Sequence, residues 1–416
     1  MITELRVQNF KSWKDTGKLQ IAPLTGFFGA NSSGKTTILQ TLLMLKQTVE
    51  RPPDWDGVID FGDDSSLVNL GSFDDLIHQH NLDLSLDIAV AWKLPERQKL
   101  DSIEDDSLSF LMSIANKYGD AELSRFCYTM GRKDFEIKWE SSGYKYKSEF
   151  YSESAELFRC YGVANPFGPL ESFKPLKDTF ENLFHRICYL GSLRESPYSR
   201  YAWQGNHPKD TGQSGKEMTS AILSKRVKLQ GIDKQIIEWL QRLDLIDSYR
   251  LNPISGSEKN YEFLVRKYKG GPEVRLTDVG FGVSQVLPVL VLCYYVPEGS
   301  ILILEQPEAH LHPKVQSELA DLLIEVVKNR KLQIILESHS EHLLIRLMRR
   351  IAEEQISADD TAFYFCEMNE GVSEIERLNV DDYGNITNWP QNFFGDEMGD
   401  LAAKTKAEMK RRKADK

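Results

Sequence analysis

The chain opens on alternation. In MITELRVQNF and GKLQIAPLTGFFGAN, β-branched and aromatic residues alternate with polar ones, the two-residue period of half-buried strands, until Gly26 breaks the run. The loop that starts at Gly29 feeds a helix beginning near Lys35. From about Leu82 to Ile187 the pattern changes: LDLSLDIAVAW, FEIKWE and YKYKSEFYS read as antiparallel strands, separated by a polar, helical stretch around Asp101 to Tyr118. This marks an inserted α+β lobe. After Arg186, ICYLGSL returns to buried-strand character, and KEMTSAILSKRVKLQGIDKQIIEWLQRL reads as helical from its mixed three- and four-residue apolar spacing. No heptad pattern persists long enough for a coiled-coil arm. ILILE and LQIILESH are short apolar runs typical of parallel strands buried on both faces, with a helix from Pro313 to Val327 between them. The pattern predicts an α/β fold around a mixed central sheet, without internal repeats.

Composition narrows the setting. At 41% hydrophobic residues, 416 residues can bury one large core or two smaller ones. Cys127, Cys160, Cys188, Cys293 and Cys366 are widely separated with no C-x-x-C, which argues against a disulfide framework and for a reducing cytoplasm. The N-terminus lacks an apolar signal core, and the longest apolar run, Val286 to Val296, is too short to span a bilayer, so no membrane partner is expected. A net charge of -11 is unlike a general nucleic-acid coat protein. The basic end, AAKTKAEMKRRKADK, reads as a solvated tail.

Four stretches carry chemistry. Residues Gly29, Ala30, Asn31, Ser32, Ser33, Gly34, Lys35 and Thr36, followed by Thr37, match the phosphate-binding pattern G-x-x-x-x-G-K-[ST] between an apolar strand and a helix. Such a loop turns backbone N–H groups toward a β-phosphate, while the lysine neutralises phosphate charge and the threonine hydroxyl meets Mg²⁺. In ILILEQPEAHLHP, Glu305 ends a buried strand, the place of an acid that holds Mg²⁺. In LTDVGFGVSQVLPVL, a Gly-rich turn opens a helix at about Ser284. His339 closes the second buried strand, within reach of a γ-phosphate.

At these residues the chain resembles the ABC-type ATPase superfamily, in its RecF-like, SMC-like and OLD-like branch, over residues 1 to 80 and about 185 to 365. The resemblance implies an ATP- and Mg²⁺-dependent head that dimerises around two nucleotides. Gly282, Ser284 and Gln285 would then form the signature that closes on the partner's nucleotide, with His312 in the D-loop and His339 as the switch histidine. Residues 81–184 match no motif of that family, and 366–416 form a C-terminal segment with the basic tail. There, WPQNFFGDEMGDLAAKTKAE resembles the tail of a bacterial ATPase subfamily often seen beside anti-phage effectors.

One departure bears on rate. Where the family places a glutamate after the Walker B acid, this chain has Gln306, so hydrolysis is expected to be slow; Glu308, past Pro307, is the substitute base, or else a carboxylate that caps the next helix or orders His310. Gln79 is a weaker Q-loop candidate. His78–His80 and His310–His312 are His-x-His pairs without a third ligand nearby in sequence, and a transition-metal site is not expected. Arg194 and Tyr198 follow a strand, with Arg194 expected to brace its loop against Glu195 or Asp210.

The functional expectation is an ATPase that gates DNA or a separately encoded nuclease or toxin in phage defence. The alternatives are a self-sufficient OLD-like nuclease using Asp381, Asp382, Asp396, Glu397 and Asp400, and a RecF-like repair head.

Overall fold

The computed structural model describes residues 1–94, 107–140, 143–147, 152–164, 166–227, 231–255, 259–390, 393 and 404–407. At its centre is a six-stranded sheet in the order Ile187–Leu190, Ile301–Glu305, Gln333–Ser338, Leu24–Gly29, Thr361–Asn369, Val372–Leu378. The first five run parallel and the last is antiparallel, so the sheet is mixed as expected.

Alternate residues of these strands feed different cores. Phe27, Ile303 and Ile335 join one cluster, with the antiparallel sheet and the helix Lys35–Glu50. Phe28, Leu302, Leu304, Ile334 and Leu336 join the other, with the helices Phe281–Tyr295, Pro313–Arg330 and Glu341–Ala352. Burial on both faces accounts for unbroken apolar runs such as ILIL. The same period fixes where the strand ends point: Glu305 and Glu337 share the parity of Ile303 and Ile335 and therefore face the helix Lys35–Glu50.

The second large sheet has nine strands and is antiparallel. Leu86–Lys93 pairs with the N-terminal Ile2–Phe10, with Val7 opposite Ile88, so the strands from Leu86 to Ala155 continue a sheet begun by the first ten residues. One expected element is corrected here. Within the stretch assigned as polar and helical, Ser107–Lys117 is a strand, because Leu108, Phe110, Met112 and Ile114 alternate inward and override the helical composition before them. It pairs with Asp120–Met130, which the sequence reading passed over. Helix Phe173–His185 covers this sheet with Phe173 and Phe180 against Phe110, Phe126 and Tyr128.

Smaller differences concern helix ends. The long helical reading resolves into Met218–Val227 and Asp233–Arg242, and the helix from Pro313 runs on to Arg330. No helix among the described residues is long and apolar enough to cross a membrane.

Candidate functional site

The phosphate-type loop is shaped by its glycines. At Gly29, φ is 137° and an added Cβ would lie 2.0 Å from the Cys366 carbonyl oxygen; at Gly34, φ is 91° and it would lie 2.5 Å from Ser373 Oγ and 2.8 Å from Trp13 Nε1. Both positions exclude side chains. Ala30, Asn31 and Ser32 are exposed at the tip, with Ser32 held at φ 60°, while Ser33 is buried. Lys35 begins the helix and turns back under the loop, its Nζ 2.6 Å from Ala30 O, 3.1 Å from Gly29 O and 3.3 Å from Ser33 Oγ. A buried ammonium bonded only to neutral oxygens is poised for an anion, which would stabilise its charge better than they do. Burial pushes its pKa down, against the opposing charges of Glu337 and Glu308.

Across from this loop stand three carboxylates. Glu305 and Glu337 are register partners at the ends of adjacent parallel strands. Glu305 leans away from the loop: Oε1 accepts from the Tyr189 hydroxyl at 2.8 Å and Oε2 from the Ser192 amide at 3.4 Å. Glu337 leans toward it, and its Oε2 accepts from Thr36 Oγ1 at 2.6 Å. Burial, with the Glu305 and Glu308 charges, pushes the Glu337 carboxyl up to about 7, although the Thr36 bond and Lys35 oppose the shift. Thr37, half-buried, follows on the first turn of the helix.

The third acid, Glu308, lies past the turn that begins at Gln306, whose backbone sits at φ 43° and whose N–H donates to Glu337 O at 3.0 Å. Glu308 Oε1 accepts from Ser338 Oγ at 2.6 Å and from the His339 amide at 2.9 Å, whereas Oε2 is buried without a partner. Burial raises its pKa. Burial and the Lys35 charge lower that of His339, against a hydrogen bond with the Gly29 backbone that opposes the shift.

Arg194 does not pair with Glu195 or Asp210 as expected. Its guanidinium donates to the carbonyls of Glu305 at 3.1 Å and Gln306 at 3.3 Å, bracing the acidic turn, and burial lowers its pKa to about 10.

The Gly-rich helix begins at Phe281 rather than near Ser284, with Gly280 as its N-cap. The Val283 N–H already donates to Gly280 O at 3.2 Å, so the opening amides are those of Phe281 and Gly282. Ser284 and Gln285 are buried, and Ser284 Oγ donates to Phe281 O at 2.7 Å. The opening turn packs on the 306–312 turn: the Phe281 ring lies 5.1 Å from that of His310, and Gly282 faces Leu311. His312 is the exposed N-cap of the next helix, accepting from the Lys314 amide at 3.3 Å. Gln79 is exposed at φ 55°, and its neighbours His78 and His80 spend their Nδ1 atoms on the carbonyls of Lys11 and Asp74. No group of three or more His, Cys, Asp or Glu side chains among the described residues has metal-holding geometry. Asp381 binds the Tyr383 and Asn385 amides of its own turn, Asp382 is exposed, and Asp396, Glu397 and Asp400 lie outside the described residues.

Glu337 is the residue that sequence reasoning missed. Its signal was present: like Glu305, it is an acid closing an otherwise apolar strand.

The Thr36 hydroxyl and the nearby carboxylates are hard oxygen donors of the kind Mg²⁺ takes, and the loop with Lys35 fits a polyphosphate. Comparisons agree. A family described as an AAA ATPase domain matches residues 1–163 and 171–344, and one described as a protein of unknown function, DUF3696, matches residues 356–403. No curated protein matches. Among solved structures, an Smc head bound to the C-winged helix domain of ScpA is similar at a TM-score of 0.50 and 14% identity, covering 92% of this chain and 98% of that one. The SMC head domain from Thermotoga maritima follows at 0.43 and 13%, covering 91% and 99%. An Smc head domain with an extended coiled coil, bound to a ScpA domain derived from Pyrococcus furiosus, is similar at 0.47 and 12%, covering 91% and 96%. With its phosphate-type loop at the end of a mixed sheet arranged as in an SMC head, the chain belongs to the AAA ATPase domain family.

Proposed function

We propose that the chain binds ATP with Mg²⁺ at residues 29–37, hydrolyses it slowly, and uses the cycle to associate with a second copy of itself and gate a partner. One observation carries this reading: Thr36 meets Glu337, and Lys35 lies within the fields of Glu337 and Glu308, at one end of the parallel strands, where α/β folds hold their ligands. Mg²⁺, when bound there, neutralises phosphate charge. Lys35 and the loop amides would hold the phosphates, Thr36 and the strand-end acids would hold the cation, and His339 stands beside the loop. Glu308 takes the proton of the attacking water, since its buried Oε2 is unpartnered and the amide of Gln306 cannot act as a base at neutral pH.

Gly282 acts in trans, with Ser284 and Gln285 buried behind it, the helix N-terminus at Phe281–Gly282 offered to the nucleotide of a second copy and His312 beside it in the facing turn. In this reading residues 1–80 and 185–365 are the head, 81–184 an inserted lobe and 366–416 a C-terminal segment. The similar Smc head with a TM-score of 0.50 is bound to the C-winged helix domain of ScpA. By analogy a separately encoded effector, a nuclease or toxin, docks on this head, with DNA as the other gated partner, in cytoplasmic phage defence. A self-sufficient nuclease has less support, because Asp381 is spent on its own turn.

Association tests this reading through Gly282, where an added Cβ meets nothing nearer than Leu311 at 3.7 Å, so a side chain can begin there without a clash. Gly282→Arg is expected to keep ATP binding by the monomer but to lose hydrolysis and the rise in light scattering that a non-hydrolysable ATP analogue induces. A variant that associates and hydrolyses like the parent would sink the trans signature.

A further inference from the structure

We propose that Arg194 is a positioning residue for hydrolysis: by gripping the backbone of the turn after Glu305, it sets Glu308 where the attacking water is met. This deepens the nucleotide reading and rests on it, in particular on Glu308 as the base.

Arg194 is placed to act on that turn. It follows the edge strand Ile187–Leu190, which runs parallel beside Ile301–Glu305, so the loop leaving one strand end meets the turn leaving the other. Its Nη2 donates to Glu305 O at 3.1 Å, and its Nη1 donates to Gln306 O at 3.3 Å and to Ser192 O at 3.1 Å. All three acceptors are neutral carbonyls, and Nε is buried without a partner. Keeping a full charge on neutral acceptors in a buried place costs desolvation that a neutral brace would avoid. The charges that favour it there are those of Glu308 and Glu305.

The turn needs such a hold. Gln306 sits at φ 43°, in the left-handed region that a side chain makes costly, and its N–H is committed to Glu337 O at 3.0 Å. Two residues on, Glu308 Oε1 is tied to Ser338 Oγ and the His339 amide, while its Oε2 is left free. The carboxylate is thus held from the strand Gln333–Ser338, and the backbone that carries it is held by Arg194. Loosening the backbone moves the free oxygen relative to the water, and reactive geometry is lost over displacements of about 1 Å. The guanidinium is spent on the turn rather than on the loop at residues 29–36, so its removal falls on turnover and spares nucleotide binding.

The test combines single and double variants of the full-length chain. Steady-state phosphate release gives kcat and KM, and a fluorescent ATP analogue gives affinity. Arg194→Met, which keeps length and packing but donates no hydrogen bond, is expected to lower kcat about tenfold or more while affinity changes less than about threefold. Arg194→Lys, which keeps the charge and reaches part of the carbonyl set, is expected to recover part of the loss. In a Glu308→Gln background, Arg194→Met is expected to cost less than about threefold more, because a residue that acts through Glu308 then has no base left to position. Should Arg194→Met fail to fold, Arg194→Lys takes its place in the same comparison. Affinity that falls in step with kcat would make Arg194 a phosphate contact or a plain brace of the fold, and an undiminished loss in the Glu308→Gln background would make it independent of Glu308. Either result overturns the proposal and leaves nucleotide binding standing. A Glu308→Gln chain that turns over like the parent would sink the base assignment and this proposal together, and a parent that releases no phosphate would sink hydrolysis itself and the proposal with it.

Discussion

Arg159, from the antiparallel sheet region, closes the C-terminal end of the loop-bearing helix: its Nη1 lies 2.8 Å from the Thr48 carbonyl oxygen. The same guanidinium reaches the carbonyls of Val49, Arg51 and Pro52 at 2.9, 2.6 and 2.8 Å. The Thr48 and Val49 carbonyls are among the acceptors that a helix end leaves without partners, and the positive charge complements the negative end of the helix dipole. The helix that begins at Lys35 is thus held at its far end by a residue more than one hundred positions away. Arg159→Ala should destabilise the chain by roughly 2–4 kcal/mol, because buried carbonyls lose their donors. Arg159→Lys should recover little of that, since a single ammonium cannot span four carbonyls. Urea unfolding of both variants checks this; an Arg159→Lys protein as stable as the parent would argue against the fork geometry.

Gly29→Ala is the sharpest test of the loop's shape. A methyl group 2.0 Å from the Cys366 carbonyl must push apart the strands Leu24–Gly29 and Thr361–Asn369. Nucleotide binding should be lost together with several degrees of melting temperature. Gly299→Ala, where an added Cβ meets nothing within 4 Å although φ is 74°, should cost only backbone strain and leave nucleotide binding intact.

Hydrolysis should separate the two candidates for handling water. Glu308→Gln removes the base but retains an acceptor for Ser338 and the His339 amide, so turnover should fall by about a hundredfold with ATP affinity nearly unchanged. Gln306→Glu should raise turnover if a carboxylate at that left-handed turn reaches the water. Steady-state phosphate release decides it, and a rate insensitive to both changes would remove both residues from that role.

Much of this was legible before the fold. The parallel strands ILILE and LQIILESH, the loop from Gly29 and the helix at Lys35 were readable because each combines an apolar pattern with local turn chemistry. Ser107–Lys117 was not, since the acidic residues just before it masked a two-residue alternation. Glu337 and Arg194 were missed or misassigned for another reason. Their roles depend on which strand lies beside which, and the order that puts Gln333–Ser338 between Ile301–Glu305 and Leu24–Gly29 is set by packing across hundreds of residues. Local sequence carries no record of such neighbours.

Asp321 gives a prediction with a pH signature. It lies on the helix Pro313–Arg330 and receives Arg350 at 2.6 and 2.8 Å, Arg242 at 2.9 Å and Arg346 at 3.1 Å, tying together three helices. Burial works to raise its carboxyl pKa, but the bonds and charges of Arg350, Arg346 and Arg242 outweigh it and hold the group below its ordinary value. A lowered folded-state pKa means that the stabilisation is complete above the unfolded value of about 3.9 and is lost as the pH falls through the folded value. Asp321→Asn should therefore cost about 1–3 kcal/mol at neutral pH, moderated by the arginines' access to water, and its gap to the parent should close in acid. Denaturant melts across pH measure this, and a gap that widens in acid would contradict it.

The most direct test is calorimetric titration of ATP with Mg²⁺ into the parent chain and into Lys35→Ala. Lys35 holds its ammonium under the loop on neutral oxygens alone, so a polyphosphate gains there the loop's one ion pair, beyond the bonds from its amides. The parent should bind one ATP per chain, and Lys35→Ala should weaken that binding by about a hundredfold or more, the equivalent of roughly 3 kcal/mol. Equal affinities, or a parent that takes up no ATP, would contradict nucleotide binding at this loop.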